Sequence, residues 1–408
     1  MAVAILAAAC SSSTKSSSGS NGTTGSTGSA GSSAPAATGA PIKIGALIDE
    51  SGELASTFAP QKAGYEAFVD WYNAHGGLDG HHLSLQVYDD ASSPSQTLAN
   101  ARLAVSNGDQ VLAGAEYNLS SAVPYLTAQN VPFFGFGLTT NFFGTNRQNF
   151  FSFVGDLITA AANQPIKFWI NTQHFTNISE VSDSQPANAE SLPALKKIVL
   201  SLGGQVPYYN SAVDDTNSAS LLALAEKLKS TNTQLVYTNF IGYAAAQLQA
   251  DLSQIGSKII VGTGIIGFDP QVPKQFGSAA NGLESQLYSA SWVNPNVPGV
   301  QTYLAAMAKY QPSQEYNQQA LYGWDSMVNL GGALQALGSK PPTRANIVAA
   351  GNSVANFTGD GILQPLSFPA FHTNPPLCIV EGKLESGKWV SISGTSANPF
   401  TCGEKFTG

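Results

Sequence analysis

Predicted β-strands and α-helices alternate along this chain in two successive runs. The first begins with an apolar strand at 42–48 and an amphipathic helix at 59–74, and the second includes a strand at 234–240 and a helix at 242–256. Further strands are predicted at 83–89, 110–114, 131–136, 176–182 and 258–264, further helices at 95–107, 120–130, 188–204, 218–231, 297–310 and 322–338, and a terminal hairpin at 376–392. Strands that alternate with helices favour parallel sheets covered on both faces. The two runs therefore predict an α/β fold of two doubly wound, Rossmann-like lobes.

The amino-terminal region differs in composition from the rest. Residues 1–10, MAVAILAAAC, are apolar and resemble the end of a bacterial lipoprotein signal, in which the cysteine, here Cys10, is lipidated. The basic n-region is missing, and Leu6 lies one place further from the cysteine than usual. Residues 11–41 are rich in Ser, Gly, Thr and Ala, so they are predicted to be a disordered tether that cannot bury enough apolar surface to fold. A tether favours an anchor at Cys10 over the alternative, a frayed apolar terminus.

Charge and composition narrow the choice of partners. The net charge is −8, only 11% of residues are charged, and 43% are hydrophobic. This balance argues against nucleic acid or an acidic membrane surface as the main partner. No segment after the first ten residues is apolar enough over a sufficient length to span a bilayer. The expectation is an extracytoplasmic protein, lipid-anchored to the cell membrane or periplasmic.

Two cysteines remain if Cys10 carries lipid, namely Cys378 and Cys402. An exported chain meets an oxidising compartment, which favours a disulfide between them. The alternative is a pair of free, buried thiols.

Motifs that could indicate a metal or a nucleotide are weak. His81 and His82 are adjacent, so in a strand they point to opposite faces and cannot share a metal ion, and no metal site is predicted. The sequence GTGIIG at 262–267 follows a strand as in dinucleotide binding, but Pro270 and Pro273 come too soon for a helix to open at its third glycine. The sequence GKLESGKW at 382–389 has the glycine-lysine spacing of a P-loop, but it lacks the Ser/Thr that binds Mg²⁺ and leads into a strand, so it predicts a hairpin turn. No cofactor and no enzymatic activity are expected.

A family resemblance rests on ordered motifs near the start of the regular region. The segment from Ile42 contains a Gly-x-x-Ala loop at 52–55, N-x-x-GG-x-x-G beginning at Asn73, and D-D-x-x-x-P at 89–94. Further matches are VPFFGFGLTTN, IIVGTG and YGWDSMVNLGGALQALG. In this order they resemble the type I periplasmic substrate-binding proteins of ABC transporters, specifically the branched-chain amino-acid binding family. The resemblance extends from Ile42 to about Ile392.

The resemblance implies two discontinuous lobes joined by a three-stranded hinge. Lobe one is expected to comprise 42–156 and 290–358, and lobe two 157–289 and 359–408. It also implies a monomer that captures a small organic ligand, an amino acid, amide or carboxylate, for import through an ABC permease. Two alternatives remain: a ligand-sensing receptor of the same fold, and a dinucleotide-dependent enzyme built on GTGIIG.

The ligand is expected beyond the carboxyl ends of the strands, where open α/β sheets bind ligands. Ser121 and Thr140 resemble the family's hydroxyl donors to a ligand carboxylate, and Leu138 would add backbone groups. Tyr117 and Phe240 are expected as apolar walls, and Thr57 stands where the family often has an aromatic residue. Amino-acid binders of the family place a carboxylate near GTG, but here Gly264 and two isoleucines occupy that place. Asp183, Asp49 and Glu50 are possible substitutes, and a carboxylate or amide with an apolar body is expected to fit better than a zwitterion.

Overall fold

The computed structural model of the protein describes residues 38–114, 118–137, 142–155, 163–184, 186–240, 242–264, 266–373 and 377–403. Cys10 and most of the predicted tether lie outside these ranges. Every helix within them is too short or too polar to cross a bilayer.

The first sheet consists of five parallel strands in the order β2-β1-β3-β4-β5. They are β1 (Gly39–Ile48), β2 (His81–Asp89), β3 (Val111–Gly114), β4 (Phe133–Gly135) and β5 (Phe150–Ser152). The last five residues of β1 are buried, as expected for a strand covered on both faces. The strand order reverses at β1, so the connections from the carboxyl ends of β1 and β3 run to opposite sides and leave a crevice between them.

The second sheet has the order β12-β11-β10-β9-β8-β6-β7, with β13 beside β11. Its strands are β6 (Ile178–Val181), β7 (Tyr209–Asn210), β8 (Leu235–Thr238), β9 (Ile260–Thr263), β10 (Glu284–Leu287), β11 (Leu377–Glu385), β12 (Lys388–Ser391) and β13 (Thr401–Gly403). Strands β6 to β10 pair in parallel, whereas β11 pairs with its neighbours in the antiparallel direction. The prediction of an α/β protein with two mainly parallel sheets is confirmed.

Helices connect the strands and cover the sheets. They are α1 (Ala55–Phe58), α2 (Gln61–Ala74), α3 (Pro94–Ser106), α4 (Val123–Ala128), α5 (Asn163–Lys167), α6 (Pro186–Ser201), α7 (Ser218–Lys229), α8 (Ala244–Gln254), α9 (Gln271–Phe276), α10 (Pro298–Tyr310), α11 (Gln318–Leu337), α12 (Arg344–Gly351) and α13 (Phe368–Phe371). Short 3₁₀ turns at Leu119–Ser121 and Gly277–Ala280 and a π-helical turn at Phe168–Thr172 are also present.

Two chain segments near predicted hinge positions run side by side. The amide of Ala290 donates to the carbonyl of Ile362 at 2.8 Å, and Ser289 forms an antiparallel bridge with Leu363. These residues lie close to the crossings predicted near 290 and 359. The third predicted crossing, at 157, falls outside the described residues, so the lobe boundaries stay a prediction.

Helices α2 and α11 approach each other at two glycines. A Cβ atom on Gly64 would lie 2.0 Å from the carbonyl oxygen of Ala320, and one on Gly323 would lie 2.2 Å from that of Gln61. Glycine at both positions therefore lets the two backbones touch. The ring of Trp324 on α11 packs edge-on against Phe68 of α2 with 5.0 Å between centroids. Helix α11 is thus fixed to the lobe that contains the first sheet.

The expected disulfide joins Cys378 on β11 to Cys402 on β13. The two residues are directly paired in the antiparallel ladder, with 3.9 Å between their Cα atoms, and are 24 positions apart in sequence. Closing a loop of this length lowers the entropy of the unfolded chain and stabilises the fold by roughly 3 kcal/mol. The bond fixes the end of the described chain to the second sheet.

Candidate functional site

A cleft of about 650 Å³ lies at the carboxyl ends of the strands in the second sheet. The segments that line it follow β6, β7 and β8 and include the first residues of α7 and α8 and the end of α9. The lining residues are Asp183, Ser184, Ala212, Val213, Asp214, Asp215, Thr216, Ser218, Leu221, Gly242, Tyr243, Ala244, Gln247 and Phe276. Its location at strand ends is where α/β sheets hold ligands.

The polar part of this lining is acidic. Asp183, Asp214 and Asp215 contribute three carboxylates, and the lining residues named above include no lysine, arginine or histidine. Asp183 is only 5% exposed, whereas Asp214 is exposed and accepts a hydrogen bond from the Thr216 hydroxyl at 2.8 Å. The wall therefore has the electrostatic character that suits an ammonium or N–H donor.

The apolar part is made of aromatic and small side chains. The rings of Tyr243 and Phe276 lie 6.5 Å apart, and Val213 and Leu221 are buried beside them. The Tyr243 hydroxyl donates to Asp269 Oδ2 at 3.0 Å, and burial followed by the charge of Asp269 raises the pKa of Tyr243. Tyr243 is thus a neutral, fixed aromatic wall.

The structure places one of the predicted site residues in the cleft and others away from it. Asp183 lines the cleft as the strand-end rule predicts. Phe240 is fully buried in the apolar core and is not among the lining residues. Thr57 is half-buried on α1. Tyr117, Leu138 and Thr140 lie outside the described residues, and the ligand roles of all these residues stay predictions.

Ser121 has its hydroxyl committed to the scaffold. Its Oγ lies 2.6 Å from the carbonyl oxygen of Pro94 and 3.0 Å from that of Asn118, and both are acceptors. A hydroxyl has a single proton, so in this arrangement Ser121 ties its turn to the start of α3 and can accept a hydrogen bond from a ligand. Donation to a ligand carboxylate would require the hydroxyl to rotate.

Gly264 lies against a buried amide. A Cβ atom on this residue would be 2.8 Å from Gln286 Nε2 and 3.5 Å from the Tyr288 hydroxyl, so no larger side chain fits without displacement. Glu381 is the cross-strand neighbour of Gln286. It is fully buried, and burial, with a smaller contribution from Glu284, raises its pKa well above the usual range. A glycine, backed by the side-chain amide of Gln286 and the hydroxyl of Tyr288, therefore stands where amino-acid binders are expected to have a carboxylate.

Of the three carboxylates considered as substitutes, Asp183 is the best placed. Asp49 is 1% exposed at the end of β1, and burial together with Asp90 raises its pKa to about 7. Glu50 forms a 2.6 Å ion pair with Lys62. Asp183 lines the cleft itself. Asp214, Asp215 and Thr216 were missed by the sequence reasoning, although a polar run before the Asn217 cap of α7 signals a strand-to-helix loop.

The two enzyme-like motifs serve as turns. The first helix after β9 begins at Gln271, beyond Gly267, so no helix opens at the third glycine of 262–267. The segment 382–389 is a hairpin that turns at Ser386 and Gly387 between β11 and β12. In the described ranges, no group of three His, Cys, Asp or Glu residues could hold a metal ion.

Asp89 and His81, at the two ends of β2, form hydrogen bonds within the scaffold. Asp89 Oδ1 accepts the backbone amides of Glu50, Ser51 and Ala91, and Oδ2 accepts the Ser51 hydroxyl at 2.6 Å. Nδ1 of His81 lies 2.9 Å from the carbonyl of Ala40. The Asp89 contacts fix the loop after β1, whereas the His81 contact lies at the first residues of β1.

Comparison with known proteins identifies similar chains. A family model described as periplasmic binding protein matches residues 41–383, while no curated protein matches. A leucine binding protein from Thermotoga maritima is 16% identical with a TM-score of 0.68, covering 88% of this chain and 99% of that one. A solute binding protein of an ABC transporter from R. palustris, solved with benzoate, is 21% identical with a TM-score of 0.68, at 88% and 97% coverage. A fatty acid ABC transporter substrate-binding protein from Thermomonospora curvata is 16% identical with a TM-score of 0.69, at 90% and 94% coverage.

Proposed function

This chain belongs to the periplasmic binding protein family, and we propose that it is a lipid-anchored solute-binding protein that captures one small organic ligand between its two lobes. It would then deliver the ligand to an ABC permease. The anchor would be Cys10, and the tether would hold the folded part at a distance from the membrane. Family membership supports the extracytoplasmic location and the transporter partner.

The observation that carries the ligand proposal is the acidic and aromatic cleft of lobe two. Asp183 is nearly buried in it, next to the Tyr243 wall. Three carboxylates and no basic residue are among the lining residues, which favours a ligand group that is positively charged or donates through N–H. We therefore propose a ligand that places an ammonium or amide N–H at Asp183 and an apolar body against Tyr243 and Phe276. This proposal revises the expectation that a zwitterionic amino acid fits poorly.

Asp183→Asn is expected to weaken binding of an ammonium ligand about tenfold or more. The substitution keeps the shape of the side chain and removes the charge that pairs with the ammonium, which is a difference of about 1.5–3 kcal/mol for a charged hydrogen bond. Isothermal titration calorimetry with L-leucine and with benzoate separates the two ligand classes, because only leucine carries an ammonium.

The matched control is Asp70→Asn, which removes an exposed carboxylate within α2. It should bind both compounds as the parent does. If the parent binds benzoate and not leucine, or if Asp183→Asn binds leucine as tightly as the parent, the ligand's positive end does not lie at Asp183.

A further inference from the structure

Glu315 lies in the connection between α10 and α11, residues 311–317, and contacts helix α9. Its carboxylate accepts from the side-chain amide of Gln271 through Oε2 and pairs with the Lys274 ammonium through Oε1. The hydrogen bond from Lys274 is the main reason that the pKa of Glu315 is lowered, so the carboxylate is ionised. About half of each charged side chain is exposed, 55% for Lys274 and 48% for Glu315.

These contacts join parts of the chain that belong to different lobes. Helix α9 connects β9 to β10 of the second sheet and ends at Phe276, which lines the cleft. The connection that carries Glu315 leads into α11, which is fixed to α2 through Gly323. Helix α9 therefore presents Phe276 to the cleft, and Gln271 and Lys274 to the other lobe.

A hydrogen-bonded path connects the cleft wall to this contact. The Tyr243 hydroxyl donates to Asp269 Oδ2, and Asp269 Oδ1 accepts the backbone amide of Gln271 at 2.7 Å. Gln271 then reaches Glu315 through its own side chain. Asp269, just before α9, thus connects the aromatic wall to the interlobe contact through hydrogen bonds.

A second contact between the lobes is buried. Tyr322 of α11 stacks on Phe136 with 4.4 Å between ring centroids, and its hydroxyl accepts the backbone amide of Tyr288 at 3.4 Å. Both tyrosines are almost completely buried. Breaking this contact would expose large aromatic surfaces, whereas an exposed ion pair breaks at little cost.

We propose that Glu315, Gln271 and Lys274 form a clasp that opens and closes, while the buried contact at Tyr322 persists as the pivot. The clasp stabilises the arrangement in which α9 and its cleft residues face lobe one, so it adjusts ligand affinity without touching ligand. Hinge closure turns two bodies about a few residues, so contacts close to the hinge persist while contacts far from it open and close. This inference goes beyond the proposed function and needs no identified ligand for its test.

The test measures the distance between two nitroxide labels by pulsed electron spin resonance in the ligand-free, full-length chain. The labels are placed at Leu103→Cys on α3 and Glu226→Cys on α7, both exposed, with Cys10→Ser so that no third thiol reacts. Lys274→Glu and Glu315→Lys are each expected to lower the ratio of short to long distances about fivefold. Each substitution replaces the attraction between residues 274 and 315 by repulsion. The double variant Lys274→Glu/Glu315→Lys is expected to restore the parental ratio.

The matched control is Glu385→Lys, the same charge reversal at the exposed end of β11, which should leave the ratio unchanged. High salt should move the parent towards the distribution of Glu315→Lys, because exposed pairs are screened. Unchanged distances in both single variants would overturn the clasp, as would a double variant that stays as displaced as the singles. Because no ligand is present, these outcomes are independent of whether the proposed ligand binds.

Discussion

The stability of the parent chain is expected to fall between about pH 5 and pH 8, and Glu180→Gln is expected to remove up to about 4 kcal/mol of that fall. Glu180 lies on β6 between Tyr209 of β7 and Tyr237 of β8 and is fully buried. Within the described part of the chain, neither carboxyl oxygen has a hydrogen-bond partner. Burial, opposed only in part by Lys196, raises the pKa of Glu180 from 4.5 to about 8.

The sign follows from the proton that the folded state retains. Below the unfolded pKa both states are protonated and the contribution of Glu180 is fully present. As the pH rises towards the folded pKa, the unfolded chain releases a proton that the fold keeps, and stability falls by up to about 1.4 kcal/mol per pH unit. Glutamine has nearly the same shape and does not titrate.

Urea denaturation of parent and variant across this pH range measures the difference. Glu385→Gln, which removes an exposed carboxylate at the end of β11, is the control and should follow the parent. Parallel pH profiles for the parent and Glu180→Gln would show that Glu180 does not carry a buried proton in the fold.

Gly323→Ala is expected to destabilise the protein by about 3 kcal/mol, because a backbone atom lies where the new methyl group would go. The Cβ would be 2.2 Å from the carbonyl oxygen of Gln61, so α2 and α11 must separate. The separation would also disturb the packing of Trp324 on Phe68.

The matched control is Gly331→Ala in the same helix. There the nearest atom to a new Cβ is a methyl of Leu78 at 3.7 Å, an ordinary contact. Alanine is favoured over glycine inside a helix by about 1 kcal/mol, so this variant is expected to be more stable than the parent. Thermal unfolding of both variants should therefore give shifts of opposite sign, and equal shifts would contradict the close approach of α2 and α11.

The sequence predicted the elements whose apolar residues follow a clear period. The strand at 42–48 and the helix at 59–74 appear as β1 and α2, and the disulfide appears as expected. Strand β10 was missed because its sequence, ESQL, buries Glu284 and Gln286 and so lacks an apolar pattern. Strand β5 and helix α12 were missed because they are short, three and eight residues.

The candidate site was only partly predictable for a related reason. Asp183 was found because it follows a recognisable strand, β6. Asp214 and Asp215 follow β7, a strand of two residues that no sequence period reveals. Phe240 follows β8 as predicted but is buried in the core, because residues just beyond a strand end can turn inward as well as towards the cleft.

The central claim is that one small organic molecule binds between the lobes, and native mass spectrometry tests it most directly. The purified chain would be incubated with a small-molecule extract of cells, exchanged into a volatile buffer and weighed before and after unfolding. The expected result is a one-to-one complex whose added mass, that of a single small organic molecule, is released intact when the chain unfolds. A chain that retains only its own mass after exposure to the extract would contradict the account.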